Sequence, residues 1–356
     1  KNSYSNFNIQ FIRTLVLLEK FEQAFTFSND IWLEDELFFE VDLLLGLQSF
    51  INKDYQNAEK YFERLNKISG SNYLFEDFMG NMLISWVRAS ENDQNGSFKF
   101  LNKIPARFDN NLKQIQNIFL QCYFDTEKTE ISFEQLINRK DNDFSRYNFF
   151  LINYFISKNE NTAAEIIIKK SRNLYNSNLL IKQVENFILN DQSEKITNFF
   201  NCNKPRDVIA EIFYVIANLY STQKNYQLSN FYLNISLFLN EDFTPNKTLL
   251  AENFYNQGKY KLSTKIYKSV KSIGPIYDWY ASINLAMILL ETSNKTQSIA
   301  SLEKEFNLLL NPNFEHHYEL ANFYKNNEYY KESIKHYSLA LKNIYKGHYL
   351  IPKILD

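Results

Sequence analysis

A chain of 356 residues with a formal net charge of −2 at pH 7 has no excess of positive charge to draw it to nucleic acid or an anionic membrane surface. Its apolar content leans on 32 Phe and 24 Tyr, against 7 Gly and 6 Pro, and so few breakers favour helices over turn-rich sheet. Two cysteines, Cys122 and Cys202, are too few for a disulfide framework, and "INLAMILL" is about the longest apolar run, well short of the roughly 18 residues of a membrane span.

The first periodic segment, "NIQFIRTLVLLEKFEQAFTFSNDIW" (8–32), predicts two helices, with Phe21 and Ala24 in the second. "LLGLQS" with "AEKYF" predicts the next pair, through Leu45, Gly46, Ala58 and Phe62. "FEDFMGNMLISWVRASENDQNGSFKFLNKI" (75–104) gives a third, and "NLKQIQNIFLQCYF" with "ISFEQLINR" a degenerate fourth. "RYNFFLINYFISKNENTAAEIIIKKS" (146–171) is a fifth, anchored by Ala164. The phase breaks between about 172 and 205, where "NLLIKQVENFILND" reads as a lone helix and Pro205 stops or starts one. Organisation is therefore expected as 1–175, a joint at 176–205, and a clearer run over 206–356.

That last run carries a repeated phrase. "TQKNYQLSNFYLNISLF" starts at 222, "NQGKYKLSTKIYKSVK" at 256 and "KNNEYYKESIKHYSLAL" at 325. Tyr55, Tyr226, Tyr260 and Tyr330 then lie close to multiples of about 34 residues apart, the mark of a stacked repeat. Each phrase has a small residue preceded at constant distance by another: Gly46 and Ala58, Ala217 and Ser229, Ala251 and Ser263, Ala321 and Ser333. Four after the second comes a bulky residue: Phe62, Leu233, Tyr267 or Tyr337. Antiparallel helices approach closely only where both side chains are small, and large neighbours fill the space beside that contact. Between these units "YDWYASINLAMILLETSNKTQSIASLEKEF" (277–306) fits with either Ala286 or Met287 in the small place.

The pattern resembles the tetratricopeptide repeat, Leu-Gly-x-x-Tyr, then Ala-x-x-x-Phe, then Pro. Leu45, Gly46, Ala58 and Phe62 match it, as do "LLAENF" with "STKIY" and Pro275, and "ELANFY" with "SIKHYSLAL". Ser49 departs from it where tyrosine is usual, and Ser often replaces the second alanine. The resemblance implies an all-α fold, an α-solenoid superhelix of stacked hairpins. In style the clearer half is similar to long repeat proteins of proteobacteria, which implies a periplasmic or envelope location, with cytoplasm the alternative. The chain opens on Lys1 and ends on "HYLIPKILD", and further repeats are expected beyond both ends.

Chemistry is hard to find. His316, His317 and His336 form the one metal-like cluster, but adjacent helical histidines diverge and no third ligand has suitable spacing, so no metal is expected. There is no glycine-rich phosphate loop, nucleophile elbow or His-Glu-x-x-His, and no catalytic residue or cofactor is assigned. The acids 34–36 suit a helix N-terminus, and Lys261, Lys265 and Lys268 read as a solvated face. Cys122 and Cys202 are expected to stay free thiols unless the joint folds back, because stacked layers advance about 8–10 Å each.

The surface remains. In the tetratricopeptide family the first helix of each hairpin lines a concave wall, which makes Tyr214, Asn218, Ser221, Glu252, Tyr255, Asn256, Tyr318, Asn322 and Lys325 the candidates for partner contact. Aromatic faces with amide groups suit an extended peptide. The family's carboxylate clamp is not expected, since Tyr214 and Tyr318 stand one turn before Asn218 and Asn322 where it needs lysine. The expected role is a non-enzymatic scaffold for a protein or peptide, without nucleic acid, in a larger assembly of open oligomeric state. The alternatives are the substrate-selecting arm of an enzyme such as an O-GlcNAc-type glycosyltransferase, or a peptide-sensing receptor.

Overall fold

The computed structural model describes residues 2–68, 78–104, 110–141, 143–174, 178–344, 348 and 350–355. The start of the expected third hairpin, at 75–77, and the end of the first expected run, at 175, lie outside them. Every regular element among the described residues is helical, and successive helices pair into antiparallel hairpins, the all-α solenoid class expected from the sequence. The chain divides into two compact units, Lys1–Leu250 and Ala251–Asp356.

In the first unit α1 (Asn2–Leu17) pairs with α2 (Phe21–Ile31), α3 (Phe39–Ile51) with α4 (Tyr55–Leu65), and α5 (Met79–Ser90) with α6 (Gln94–Lys103). Then α7 (Asn110–Tyr123) pairs with α8 (Thr129–Ile137) and α9 (Tyr147–Ser157) with α10 (Asn161–Leu174). The segment read as a joint holds α11 (Leu179–Leu189), a short 3₁₀ turn and α12 (Ile196–Phe199); α13 (Pro205–Thr222) and α14 (Tyr226–Leu239) follow. Helix α15 (Thr244–Asn256) carries the chain into the second unit, which continues with α16 (Tyr260–Val270), α17 (Pro275–Thr292), α18 (Lys295–Asn307), α19 (Phe314–Asn326), α20 (Tyr330–Asn343) and α21 (Leu350–Leu355).

The turn inside every described hairpin but one, α17–α18, where Ser293 and Asn294 have negative φ, follows one rule. Glu19, Lys53, Asn92, Asp125, Asn159, Asp191, Lys224, Gly258 and Glu328 all have φ between +49° and +70°. Such a left-handed residue lets the next amide reach back to the last open carbonyls of the helix. Asp54 N donates to Ser49 O at 2.9 Å, Asn225 N to Tyr220 O at 2.9 Å and Tyr329 N to Tyr324 O at 3.0 Å. Asp54, Asp93 and Asn225 then cap the second helix, their side chains accepting from Asn57, Gly96 and Leu228 N. The turn at Asp191 keeps this spacing although the helix after it is cut short.

Inside the hairpins the small-residue contacts are as close as the pattern requires. A Cβ on Gly46 would lie 2.3 Å from the Phe62 ring, which is fully buried. In three hairpins the second small residue is a serine whose hydroxyl donates across the contact: Ser263 Oγ to Ala251 O at 2.8 Å, Ser298 Oγ to Ala286 O at 2.6 Å, Ser333 Oγ to Ala321 O at 3.0 Å. Serine thus replaces alanine without adding bulk to the hairpin and leaves its own hydroxyl satisfied. The same bond settles the open register in α17: Ala286 takes the small place, and Met287 is 37% exposed.

The first unit corrects one expectation. Cys122 and Cys202 are joined as a disulfide with their Cα atoms 6.0 Å apart, not free thiols. The chain after α11 folds back rather than advancing. Asn153 Nδ2 donates to Ile196 O at 3.1 Å and Phe200 O at 2.7 Å. The Phe200 ring enters a cluster with Phe119 at 5.4 Å and Phe150 at 4.7 Å, which draws Cys202 to α7. The return continues along α13 and α14. Buried Glu211 accepts from Arg146 Nη1 at 2.8 Å, with the guanidinium over the Tyr214 ring, and Phe238 stacks on Phe21 at 4.0 Å.

Ala251→Trp is expected to force α15 from α16 and cost at least about 1–3 kcal/mol, read as a lowered melting temperature; an unchanged one would count against the register. Replacing both Cys122 and Cys202 by Ser is expected to cost about 2–4 kcal/mol in urea denaturation under oxidising conditions, and no cost would mean the fold-back holds without its clip.

Candidate functional site

The expected partner-binding residues fall into three groups. On α13, Tyr214 is half-buried, edge-on to Phe243 at 5.9 Å and under the Arg146 guanidinium at 4.7 Å, so its ring serves the fold-back. Ser221 is half-buried and already engaged, and Asn218 is exposed.

On α15, Glu252 and Tyr255 meet α17. The Tyr280 hydroxyl donates to Glu252, whose carboxyl burial pushes up, and Tyr255 is hydrogen-bonded to Glu291. Tyr255 also meets Tyr260 edge-on at 5.7 Å, while Asn256 stays exposed. On α19, Tyr318, Asn322 and Lys325 gather round Tyr337 of α20. Tyr337 donates its hydroxyl to Asn322 Oδ1 at 2.6 Å, its ring lies 6.0 Å from that of Tyr318, and exposed Lys325 stands 6.0 Å from its face. Tyr318 also packs on the cluster of Ala340, Leu350 and Ile354, where α21 closes the hairpin.

Several site residues were missed from the sequence. With Ala286 in the small place, the register puts Ile283, Met287 and Glu291 of α17 level with the candidates of α15 and α19; the ambiguity between Ala286 and Met287 hid them. Tyr280 and Trp279 were missed for another reason. They bridge first helices, Tyr280 to Glu252 and Trp279 Nε1 to Glu319, and a bond between repeats leaves no mark within one. The result is a row of first helices stitched by aromatic donors and glutamate acceptors, with apolar Met287 between polar flanks.

The histidine pair joins α19 to α20. His317 and His336 meet Nδ1 to Nδ1 at 3.0 Å, packed by Phe306 at 5.2 and 5.3 Å from their rings. One imidazole must donate and the other accept, so both must be neutral or share one proton. Burial holds both below the usual histidine value, and His336, with His317 and Lys335 adding to burial and Glu303 opposing it, is pushed down to about 4. His316 instead accepts from Asn313 N at 3.0 Å and closes the cap of α19. Among the described residues no three His, Cys, Asp or Glu side chains gather as a metal site.

No protein-family model and no curated protein matches the sequence. Among solved structures the chain is similar to a tetratricopeptide repeat protein from Parabacteroides merdae ATCC 43184, at 16% identity and TM-score 0.32 over 76% of this chain and 97% of that one. It is similar also to the P58(IPK) TPR domain, at 17% and 0.24 over 89% and 96%. A third is the APC/C hetero-tetramer Cut9-Hcn1, at 13% and 0.31 over 97% and 80%. Overlaps this loose carry no argument, and the fold rests on the hairpins, turns and contacts described above.

The histidine pair sets a pH dependence. Both folded values lie below the unfolded one, so the unfolded chain takes up protons first as pH falls. The contribution is whole above about pH 6.5 and is lost toward about pH 4, a weakening of up to about 3 kcal/mol. Protection factors of the α19 and α20 amides, each rate taken relative to the unstructured amide at the same pH, are expected to fall over that range, and far less in His336→Phe; an equal fall in both would remove the pair as the cause.

Proposed function

We propose that this protein is a non-enzymatic scaffold that binds a protein segment along the first helices of its second unit, as part of a larger assembly. The observation that supports this most is the arrangement across α15, α17 and α19. Exposed Asn256 and Lys325 and the amide of Asn322 flank Met287, whose thioether is partly open. Amides can bond an extended backbone on both edges, while Met287, flexible and polarisable, accepts an apolar side chain between them. The tyrosines act behind this surface. Tyr280 and Tyr337 spend their hydroxyls on Glu252 and Asn322, which fixes the orientation of the groups a segment would meet.

On this reading Glu252, Tyr255 and Tyr318 position the surface, and Asn256, Met287, Asn322 and Lys325 contact the partner. Exposed Asn218 is the one candidate in the first unit with a comparable role. The test is selection from a displayed peptide library on the whole chain, followed by affinity measurement. Asn256→Ala combined with Met287→Glu is expected to weaken selected peptides at least about ten-fold, about 1.4 kcal/mol, with melting unchanged. No enriched peptide, or binding indifferent to both substitutions, would overturn the proposal.

A further inference from the structure

The first unit holds a cleft of about 850 Å³ that none of the candidate partner residues lines. It lies where the fold-back brings the α12–α13 segment and the end of α14 against the α3–α4 turn and the end of α5. Its size is that of a small-ligand site. The α12–α13 segment is held in place before any ligand arrives, by the disulfide at Cys202, by Asn153 on Ile196 O and Phe200 O, and by Asn240 Nδ2 on Phe199 O at 3.0 Å.

Beside apolar Phe50, Leu237 and Phe238 and amides such as Asn203, the lining carries charged side chains of both signs that form no close ion pair among the described residues. Lys204 and Glu241 are exposed and make no ion pair among the described residues. Arg206 gives one N–H to Phe238 O at 3.2 Å and pairs with no carboxylate. Asp207 is 8% exposed, yet only its Oδ2 is used, accepting from Asn201 N at 2.9 Å. Burial pushes its carboxyl up to about 6, although the Asn201 amide and the nearby Lys204 and Arg206 charges act to lower it. Three acidic and three basic side chains line the cleft, with Asp242 and Lys53 completing the set. A ligand carrying one charge would leave the opposite set unanswered; a ligand carrying both would answer each.

We propose that the cleft binds a small zwitterion, an α-amino acid or a short peptide with both ends free. Its ammonium group faces Asp207 and Glu241, its carboxylate Lys204 and Arg206, and its side chain the rings of Phe50 and Phe238. Charge-assisted hydrogen bonds at both ends give selectivity for unblocked termini. This site is independent of the first-helix surface, and the failure of one leaves the other standing.

Isothermal titration of the whole oxidised chain with the dipeptide Leu-Phe and with L-phenylalanine tests it, each beside its N-acetylated and C-amidated form. At least one free-ended probe is expected to bind saturably. Blocking either end should raise Kd at least about ten-fold, as should Arg206→Gln or Glu241→Gln. Binding of the dipeptide alone or of the amino acid alone supports the site and identifies its class of ligand. Each variant's melting curve is recorded first, and Lys204→Gln replaces any variant that melts early. Absence of binding by both free probes up to about 10 mM (a few kcal/mol of affinity), or equal affinity for the blocked forms, would overturn the proposal.

Discussion

The close approach of two helix backbones inside each hairpin is the constraint from which the rest of this molecule follows. It requires Gly46 against Phe62, and alanine or serine wherever a larger Cβ substituent would wedge the pair apart. Serine at Ser263, Ser298 and Ser333 meets it while bonding to the facing carbonyl twelve residues back. With the contact fixed, the turn between the helices has little freedom. A single left-handed residue followed by a capping residue spans it in hairpin after hairpin, mostly without glycine, the conformational cost being offset by the carbonyl it helps to satisfy.

The two units use their aromatic residues differently. In the first, rings form the core of a return. Phe119, Phe150 and Phe200 cluster, Arg146 lies over Tyr214 and Tyr147, and Phe238 stacks on Phe21, so that helices far apart in sequence meet. The disulfide fastens a fold-back that these contacts already direct. In the second unit the aromatic tips work laterally, Tyr280 on Glu252, Trp279 on Glu319 and Tyr324 on Glu303, joining each layer to the next. Rings supply the buried area in both cases; the polar tip decides which neighbour is bonded.

Hairpins were legible in the sequence because their determinants are local. Gly46 with Ala58, or Ala321 with Ser333, lies within one repeat and can be seen by eye. The place of Ala286 was not, because Ala286 and Met287 fit the spacing almost equally until the Ser298 hydroxyl chooses between them. The pairing of Cys122 with Cys202 was illegible for a deeper reason: it depends on where Asn153 and Phe200 send the chain, and such contacts carry no periodic signal. Candidate surface residues stood between these cases. Their helix was readable, but that Tyr318 packs toward α21 and Tyr214 under Arg146 depends on neighbours the repeat pattern does not specify.

The most direct test compares two substitutions at the same contact. Alanine in place of Ser263, Ser298 and Ser333 keeps the hairpins close and removes only a hydroxyl; valine removes the hydroxyl and adds bulk. Chemical denaturation of each single variant is expected to show a loss of about 1 kcal/mol or less for alanine and clearly more for valine, about 1–3 kcal/mol. Valine tolerated as well as alanine at all three positions would contradict close backbone approach as the organising constraint.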